Sequence, residues 1–305
     1  MALKIIFMGT PDFAVPILNT LIESGHHILQ VYTQTPKKSK RGQKINLSPV
    51  HEFSNKKKII VRSPEQFNDL EIDNIKKLSP DVVVVVAYGK MIPSKALSIK
   101  NINFINIHAS LLPRWRGAAP IQRSIIEMDK ETGISIMKIV PELDAGPYML
   151  QEKIDIERDD NYTSLSKKLS TLSSKLIIKA LKLIETNSEN FKEQDKNLVT
   201  YAKKIEKKES KIFWGLEAKK LIAKINGLNP VPGAWFEHKG SRFKIIKAVE
   251  SELAGKEGEI LDDNLTIACK NNSIRIISIQ KEGKKIMNTK SFLLGYKLSR
   301  GEFLS

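Results

Sequence analysis

Five consecutive valines at positions 82–86 place the tightest constraint on how this chain can fold. β-Branched residues favour extended backbone, and a strand that is apolar on both faces must be covered on both faces. Such a strand is typical of the centre of a parallel sheet flanked by helices. Strand and helix patterns alternate along the first 190 residues, so the sequence predicts an α/β fold with a Rossmann-like, mostly parallel sheet.

The neighbouring patterns predict the order of the elements. We expect further strands at residues 4–9, 27–33, 59–62, 102–107 and 134–139, and a long helix over residues 163–186. After the first strand, Thr10 is predicted to cap a helix that has Pro11 at its first position and stops at Gly25. Neither a G-x-G-x-x-G fingerprint nor a P-loop pattern is present, so a dehydrogenase is a weak alternative.

A polar stretch with weak periodicity follows the long helix and predicts a domain boundary. We expect an α/β domain over 1–188, a linker over 189–207 and a C-terminal domain over 208–305. After a helix at 216–225, short strands are predicted at 235–236, 243–246, 259–261, 265–268 and 274–277. Short strands at this spacing predict a small OB-like β-barrel, an architecture that often binds nucleic acid.

The basic residues are unevenly distributed. The chain carries a formal net charge of +16, yet residues 34–58 hold eight basic residues against one acidic residue. The remainder of residues 1–190 holds 19 basic and 19 acidic residues, and residues 191–305 hold 23 basic and 14 acidic residues. Two basic regions around a neutral one favour a polyanionic partner such as nucleic acid. Solvated faces of a lysine-rich protein are the alternative.

Cysteine and histidine usage excludes several classes of protein. Cys269 is the only cysteine, which excludes a disulfide scaffold and a thiolate metal cluster and fits a reducing compartment. None of the five histidines has metal-ligand spacing with a carboxylate, so no metal is expected. The N-terminus does not resemble a signal peptide, and no apolar run reaches about 18 residues. We expect a cytoplasmic protein with no membrane partner and no obligate protein partner.

Three polar residues follow predicted strands and suggest a catalytic site. Asn106 and His108 lie two apart at the end of the 102–107 strand and would share a face, and Asp144 follows the 134–139 strand. An amide, an imidazole and a carboxylate together suit acyl chemistry, in which an oxyanion is stabilised and a proton is moved. Each also has a structural alternative, since Asn106 could satisfy a strand edge and Asp144 could belong to a turn. Ser110 lacks the G-x-S-x-G elbow of a nucleophile.

The surrounding runs carry a resemblance to the folate-dependent formyltransferases. It rests on His108-Ala109-Ser110-Leu111-Leu112-Pro113, on Asn106 upstream and on Leu143-Asp144-Ala145-Gly146 downstream. Further runs, at residues 7–14, 41–44 with 48–50, 84–89, 114–122 and 211–214, are similar to the methionyl-tRNA formyltransferase family.

The resemblance implies an activity and a site. A formyl group would pass from 10-formyltetrahydrofolate to the α-amino group of methionine on initiator methionyl-tRNA, without a metal. Asn106 and His108 would stabilise the developing oxyanion, and Asp144 would keep His108 protonated or help to shuttle a proton. The domain over 1–188 would be the catalytic domain. The implied folate pocket comprises Ser110, Leu111, Leu112 and Pro113 with Val86, Ala87, Tyr88 and Gly89.

The resemblance also implies where tRNA binds. Residues 34–50 would form an inserted loop that reaches the acceptor end, and the C-terminal domain would follow the tRNA backbone. The implied tRNA-binding cations are Arg41, Lys37, Lys38, Lys40, Lys44, Lys203, Lys204, Lys207 and Lys208. Two alternatives remain open at this point. One is a formyltransferase for a small amine, such as a nucleotide sugar or glycinamide ribonucleotide, and the other is an RNA-binding protein without catalytic activity.

Overall fold

The computed structural model describes residues 2–39 and 44–304. The strands are β1 (Lys4–Gly9), β2 (His27–Tyr32), β3 (Lys37–Ser39), β4 (Lys44–Asn46), β5 (Val61–Arg62), β6 (Val82–Val86), β7 (Asn103–His108), β8 (Arg116–Gly117), β9 (Glu131–Lys138), β10 (Tyr148–Asp155), β11 (Tyr201–Ala202), β12 (Trp235–His238), β13 (Ser241–Ser251), β14 (Thr266–Ala268), β15 (Ser273–Lys281) and β16 (Met287–Asn288). The helices are α1 (Val15–Glu23), α2 (Pro49–Lys56), α3 (Asp69–Leu78), α4 (Ser94–Leu97), α5 (Pro120–Ile126), α6 (Tyr162–Glu185), α7 (Ala218–Leu228) and α8 (Thr289–Gly295). Short 3-10 turns span Asp12–Ala14, Lys196–Leu198 and Lys207–Ser210.

The valine run lies where its composition predicts, near the middle of a seven-stranded sheet. The strand order is β10-β9-β7-β6-β1-β2-β5, and all five valines of β6 are buried. Strand β6 pairs in parallel with β1 on one side and β7 on the other, while β9 runs antiparallel to β7. The carboxyl ends of β1, β6 and β7 therefore share one edge of the sheet.

The start of the first helix differs from the prediction. Residues Asp12–Ala14 form a 3-10 turn, and α1 begins only at Val15. The predicted cap at Thr10 is wrong because its hydroxyl donates instead to the carbonyl oxygen of Tyr88, at 2.9 Å. Thr10 therefore ties the turn after β1 to the segment after β6, and Pro11 precedes the helical turn.

The chain forms two compact units that are each discontinuous in sequence. The first comprises the chain up to Gly117 with Thr132–Ile154 and Ser166–Tyr201. The second comprises Ala118–Glu131, Asp155–Leu165 and the chain from Ala202 onward. Helix α5 packs on α7 within the second unit, where a Cβ on Gly227 would lie 2.7 Å from Ile126. The predicted domain ends at residues 188 and 207 stay predictions.

The second unit contains a five-stranded antiparallel sheet in the order β12-β13-β15-β14, with β16 added beside β15. Its core centres on Phe243, whose ring lies 5.5 Å from that of Phe236 and 4.9 Å from that of Tyr296. The strand predicted at 259–261 is wrong, because that segment makes only isolated bridges to residues 267 and 303. A mostly parallel α/β sheet followed by a small curled β-sheet confirms the predicted fold class.

Within residues 2–39 and 44–304, helices long and apolar enough to cross a bilayer are absent.

Candidate active site

Three predicted site residues meet at the carboxyl edge of the first unit's sheet. Asn106 and His108 project from the same face of β7, opposite Met137 and Ser135 of β9. His108 is buried and Asn106 is half-buried. Asp144 lies in the loop between β9 and β10, with its Oδ2 3.6 Å from His108 Nδ1 and its Oδ1 3.5 Å from Asn106 Nδ2.

The imidazole of His108 is fixed by a backbone group. Its Nε2 lies 2.8 Å from the carbonyl oxygen of Trp115. A carbonyl oxygen can only accept, so Nε2 carries a proton and donates it. Nδ1 then faces Asp144, and a proton taken up on Nδ1 would lie against the carboxylate. The ring is therefore oriented for charge stabilisation or proton movement.

The position of Asp144 depends on hydrogen bonds that the sequence analysis missed. The backbone N–H of Gly117 donates to Oδ2 at 2.8 Å, and Asp144 itself has a left-handed φ of 47°. The side-chain nitrogen of Gln194 donates to the carbonyl oxygens of Asp144 and Gly146, at 2.9 and 2.7 Å. A Cβ on Gly146 would overlap the Lys138 carbonyl oxygen, so the loop requires glycine there.

Gln194 is held in turn by Arg116. The Nε of Arg116 donates to Gln194 Oε1 at 3.0 Å, and Arg116 Nη1 lies 3.3 Å from Glu142 Oε1. Arg116 and Gln194 are 5% and 6% exposed, so this network is part of the interior. Gln194 lies in the polar stretch predicted as a linker, where neither spacing nor periodicity distinguishes it from its neighbours.

The predicted pocket residues 110–113 form a turn whose polar groups are satisfied internally. Ser110 is buried, and its hydroxyl donates to the carbonyl oxygen of Arg114 at 2.6 Å, which leaves it unsuited to a nucleophilic role. Ser135 donates to the Ser110 carbonyl oxygen at 2.7 Å and accepts from the Leu112 amide at 3.0 Å. Leu112 is buried, whereas Leu111 and Pro113 are half-buried and can present apolar surface.

The segment after β6 alternates between buried and exposed residues. Val86 and Tyr88 are buried, whereas Ala87 and Gly89 are exposed and have positive φ values of 47° and 76°. Burial raises the pKa of Tyr88 to about 12, so its phenol stays neutral. Gln34 donates to the carbonyl oxygens of Tyr88 and Gly89, at 3.3 and 3.2 Å. The segment therefore presents the small Ala87 and Gly89 outward while its large side chains pack inside.

The predicted tRNA-binding cations lie in two regions. Lys203, Lys204, Lys207 and Lys208 are exposed in the second unit, and Lys208 Nζ lies 2.8 Å from Glu206 Oε2. Lys37 and Lys38 belong to β3 and Lys44 to β4, two strands that pair antiparallel. Lys40 and Arg41 lie outside the described residues.

The cysteine and the possible metal ligands among the described residues do not form a second site. Burial raises the pKa of Cys269 to about 12, and this side chain lies in the core of the second unit. Groups of three or more histidine, cysteine or carboxylate side chains able to hold a metal ion are absent from the described ranges, 2–39 and 44–304.

Solved structures share the fold at low sequence identity. HypX from Aquifex aeolicus in complex with tetrahydrofolic acid matches with a TM-score of 0.69 and 16% identity, covering 100% of this chain and 51% of HypX. The sugar 3N-formyl transferase WlaRD matches with a TM-score of 0.67 and 18% identity, covering 93% of this chain and 100% of WlaRD.

Comparison with related sequences identifies the family more specifically than the shared fold does. The formyl transferase family model matches residues 3–181, and the formyl transferase C-terminal domain model matches residues 204–297. The methionyl-tRNA formyltransferase of Pelagibacter ubique is 50% identical over 304 residues, covering 99% of this chain and 98% of the relative. That of Paramagnetospirillum magneticum is 40% identical, covering 99% of this chain and 100% of the relative. These full-length matches confirm the resemblance seen in the sequence, and the chain belongs to the methionyl-tRNA formyltransferase family.

Proposed function

We propose that this protein transfers a formyl group from 10-formyltetrahydrofolate to the α-amino group of methionine on initiator methionyl-tRNA, giving N-formylmethionyl-tRNA for translation initiation. The observation that carries the proposal is the full-length identity of 40–50% to methionyl-tRNA formyltransferases. The cluster of Asn106, His108 and Asp144 at the sheet edge supports it, because acyl transfer needs hydrogen-bond donors and a proton acceptor at one point. We also propose a cytoplasmic location, because the substrate would serve translation initiation.

The donor set of the site fits a formyl group. 10-Formyltetrahydrofolate supplies an electrophilic formyl carbon when it is bound. The amide nitrogen of Asn106 lies 3.5 Å from Asp144, at the long limit of a hydrogen bond, and so is free to donate to an oxygen that gains negative charge. The Nε2–H of His108 donates to Trp115 and Nδ1 faces Asp144, so a proton on Nδ1 would make His108 a positive charge near that oxygen. One donor and one positive charge match the demand of the reaction.

Asp144 is suited to the proton that the attacking amine must lose. Its Oδ2 accepts from the Gly117 amide and faces His108 Nδ1, and its side chain is 15% exposed. A carboxylate in this position can accept a proton from the amine directly or through a water molecule, and it can hold His108 in the charged form. The new C–N bond to the amine forms as the C–N10 bond of the donor breaks, so we assign to the His108–Asp144 pair the proton that the amine loses and that N10 of the departing tetrahydrofolate gains.

Folate and tRNA would bind through different sets of residues. We propose that Leu111, Pro113, Ala87 and Gly89 face the folate, since these are the outward residues of the two predicted pocket segments. The buried members, Ser110, Leu112, Val86 and Tyr88, would support those segments from inside. Arg41 and the lysines at 37, 38, 40, 44, 203, 204, 207 and 208 would contact tRNA phosphates.

The acceptor separates this function from formylation of a small amine. The relatives named methionyl-tRNA formyltransferase match this chain over its whole length, which includes the C-terminal domain at residues 204–297. The sugar formyl transferase shares only the fold. Purified protein should formylate Met-tRNA with 10-formyltetrahydrofolate and leave uncharged tRNA unchanged. Formylation of an amino sugar nucleotide in place of Met-tRNA would refute the assignment.

Two substitutions test the site. We expect His108→Ala and Asp144→Ala each to lower formyl transfer by about 10²–10⁴-fold, the usual contribution of a general acid or base, while tRNA affinity is retained. Control variants are His27→Ala and Asp159→Ala, which remove exposed side chains of the same types. His27 begins β2, at the opposite edge of the sheet. Near-wild-type transfer by either site variant would contradict the assigned roles.

A further inference from the structure

The second unit contains an open cleft that the proposed active site does not use. It has a volume of about 450 Å³ and is lined by Lys211, Ile212, Phe213, Trp214, Gly215 and Glu257. This volume lies within the range of small-ligand pockets, roughly 300–1,000 Å³. The cleft therefore has room for one aromatic group the size of a nucleobase.

An exposed aromatic ring forms one wall. Residue 211 bridges to residue 235 of β12, so the backbone is extended and successive side chains alternate in direction. Ile212 and Trp214 are 3% and 5% exposed, whereas the Phe213 side chain between them is 64% exposed. The ring of Phe213 therefore offers a free face beside a cleft, which core packing does not require.

The cleft also holds one hydrogen-bond acceptor. Glu257 is exposed and supplies a carboxylate that can accept from N–H groups. A planar ligand with N–H groups on its edge would fit this acceptor.

The chain leading into the cleft is cationic. Lys203, Lys204, Lys207 and Lys208 are exposed upstream, and Lys211 lines the cleft itself. Of the two carboxylates in this stretch, Glu206 pairs with Lys208 at 2.8 Å. Glu209 accepts from both terminal nitrogens of Arg123, at 2.7 and 3.0 Å. The remaining positive charge complements a phosphate backbone.

We propose that the cleft binds one unpaired nucleobase of an RNA strand, stacked on Phe213, with Lys211 and the upstream lysines on its phosphates. Glu257 accepts from a base N–H. The inference rests on RNA being the substrate class of the proposed function, and it adds a site that reads an unpaired base. Stacking on an aromatic ring is the sequence-tolerant way in which proteins hold single-stranded RNA.

Gly215 keeps the cleft open. A Cβ at this position would lie 2.5 Å from Cζ of Phe213 and 3.1 Å from Oε2 of Glu257. Gly215→Ala therefore forces the ring and the carboxylate to move, without removing either group. This provides a second variant that does not depend on deleting Phe213.

The test measures binding of the full-length protein to a short unstructured RNA oligonucleotide by fluorescence anisotropy, with the same strand annealed to its complement as reference. We expect Phe213→Ala to weaken single-strand binding by roughly 5- to 100-fold, the range for loss of one stacked base, and to leave duplex binding unchanged. Gly215→Ala should weaken single-strand binding as well, and Phe213→Trp should retain it. Leu294→Ala, which removes an 88% exposed side chain outside the cleft, should bind like the wild type.

Unchanged single-strand binding by both Phe213→Ala and Gly215→Ala would overturn the proposal, as would an equal loss for both forms of RNA. A concentration-dependent dimer abolished by Phe213→Ala would assign the cleft to a second copy of the chain and would overturn it too. Failure of the proposed function is scored separately. A wild-type protein that does not formylate Met-tRNA refutes that function, whatever the oligonucleotide measurements show.

Discussion

Replacing Gln194 tests whether a residue that is remote from the substrate positions the proposed proton acceptor. Its amide links Arg116 to the loop of Asp144 through three hydrogen bonds of 2.7–3.0 Å. Gln194→Met keeps the length of the side chain and removes all three bonds, so the effect of a cavity is small. The change leaves two carbonyl oxygens and one guanidinium N–H without this partner in a site where Gln194 is 6% exposed.

The magnitude follows from those bonds. Two neutral bonds contribute about 1 kcal/mol each and the bond from the charged Arg116 about 1.5–3 kcal/mol, so the free energy of unfolding should fall by about 3.5–5 kcal/mol. If the Asp144 loop shifts by about 1 Å as a result, formyl transfer should fall by about 100-fold. The apparent affinity for tRNA should not change, because the hydrogen bonds of Gln194 go to Arg116, Asp144 and Gly146 and not to the exposed lysines at 203, 204, 207 and 208.

Steady-state formyl transfer and thermal unfolding should be measured for Gln194→Met, Asp144→Asn and the double variant. If Gln194 acts through Asp144, its substitution should cost little further activity once Asp144 is Asn, although it still lowers the midpoint of unfolding in both backgrounds. Equal losses of activity in the two backgrounds would show that the two residues act independently. Wild-type kcat/KM for Gln194→Met would refute the reasoning directly.

Three further outcomes are expected. Asn106→Ala should lower kcat by about 10²–10³-fold, the cost of one oxyanion donor, with little change in KM for Met-tRNA in steady-state assays. We expect tRNA binding to depend less on salt when Gln replaces Lys203, Lys204, Lys207 and Lys208. In titrations at several salt concentrations, the slope of log affinity against log salt concentration should become shallower by up to about three. Hydrogen bonds from Arg123 hold the pKa of Glu209 below its usual value. The pair therefore stabilises the folded state fully when the pH is above the unfolded pKa of about 4.3. This stabilisation is lost as the pH falls through the lower pKa of the folded state. Glu209→Gln should therefore remove that part of the acid dependence of thermal unfolding.

The fold was predictable where burial dictated the residue type. The β-branched run at 82–86 could lie only in a strand covered on both faces, and β6 has that position. Helix α6 spans Tyr162–Glu185, close to the predicted 163–186, because its apolar residues repeat at helical spacing over many turns. The short helices α2, α3 and α5 were not predicted, since a few residues with mixed polarity give little periodicity. The cap at Thr10 failed because a tertiary partner, the Tyr88 carbonyl oxygen, competed with the local one.

Topology explains only part of how the predicted site residues come together. Asn106 and His108 lie in the carboxyl half of β7, as the sequence predicts. Strand β9 runs antiparallel to β7, with Lys138 opposite Ile105, so its carboxyl end points away from His108. The expectation that Asp144 follows a strand ending at the same edge is therefore wrong, and the loop after β9 returns Asp144 to within 3.5 and 3.6 Å of Asn106 and His108. The loop is held there by Gly117, 27 residues upstream, and by Gln194, 50 residues downstream.

The run at 114–122 shows why a motif residue need not touch substrate. Arg116 lies inside a run that resembles the family, and a basic residue in such a position invites assignment to phosphate binding. The structure instead buries its guanidinium at 5% exposure, between Gln194 and Glu142. A buried arginine that is already hydrogen-bonded supports a loop and is poorly placed to meet a solvated polyanion. The exposed lysines are the cations that remain for binding RNA. No motif marks their individual positions. Their role in RNA binding was therefore predictable only from the excess of basic residues in each region.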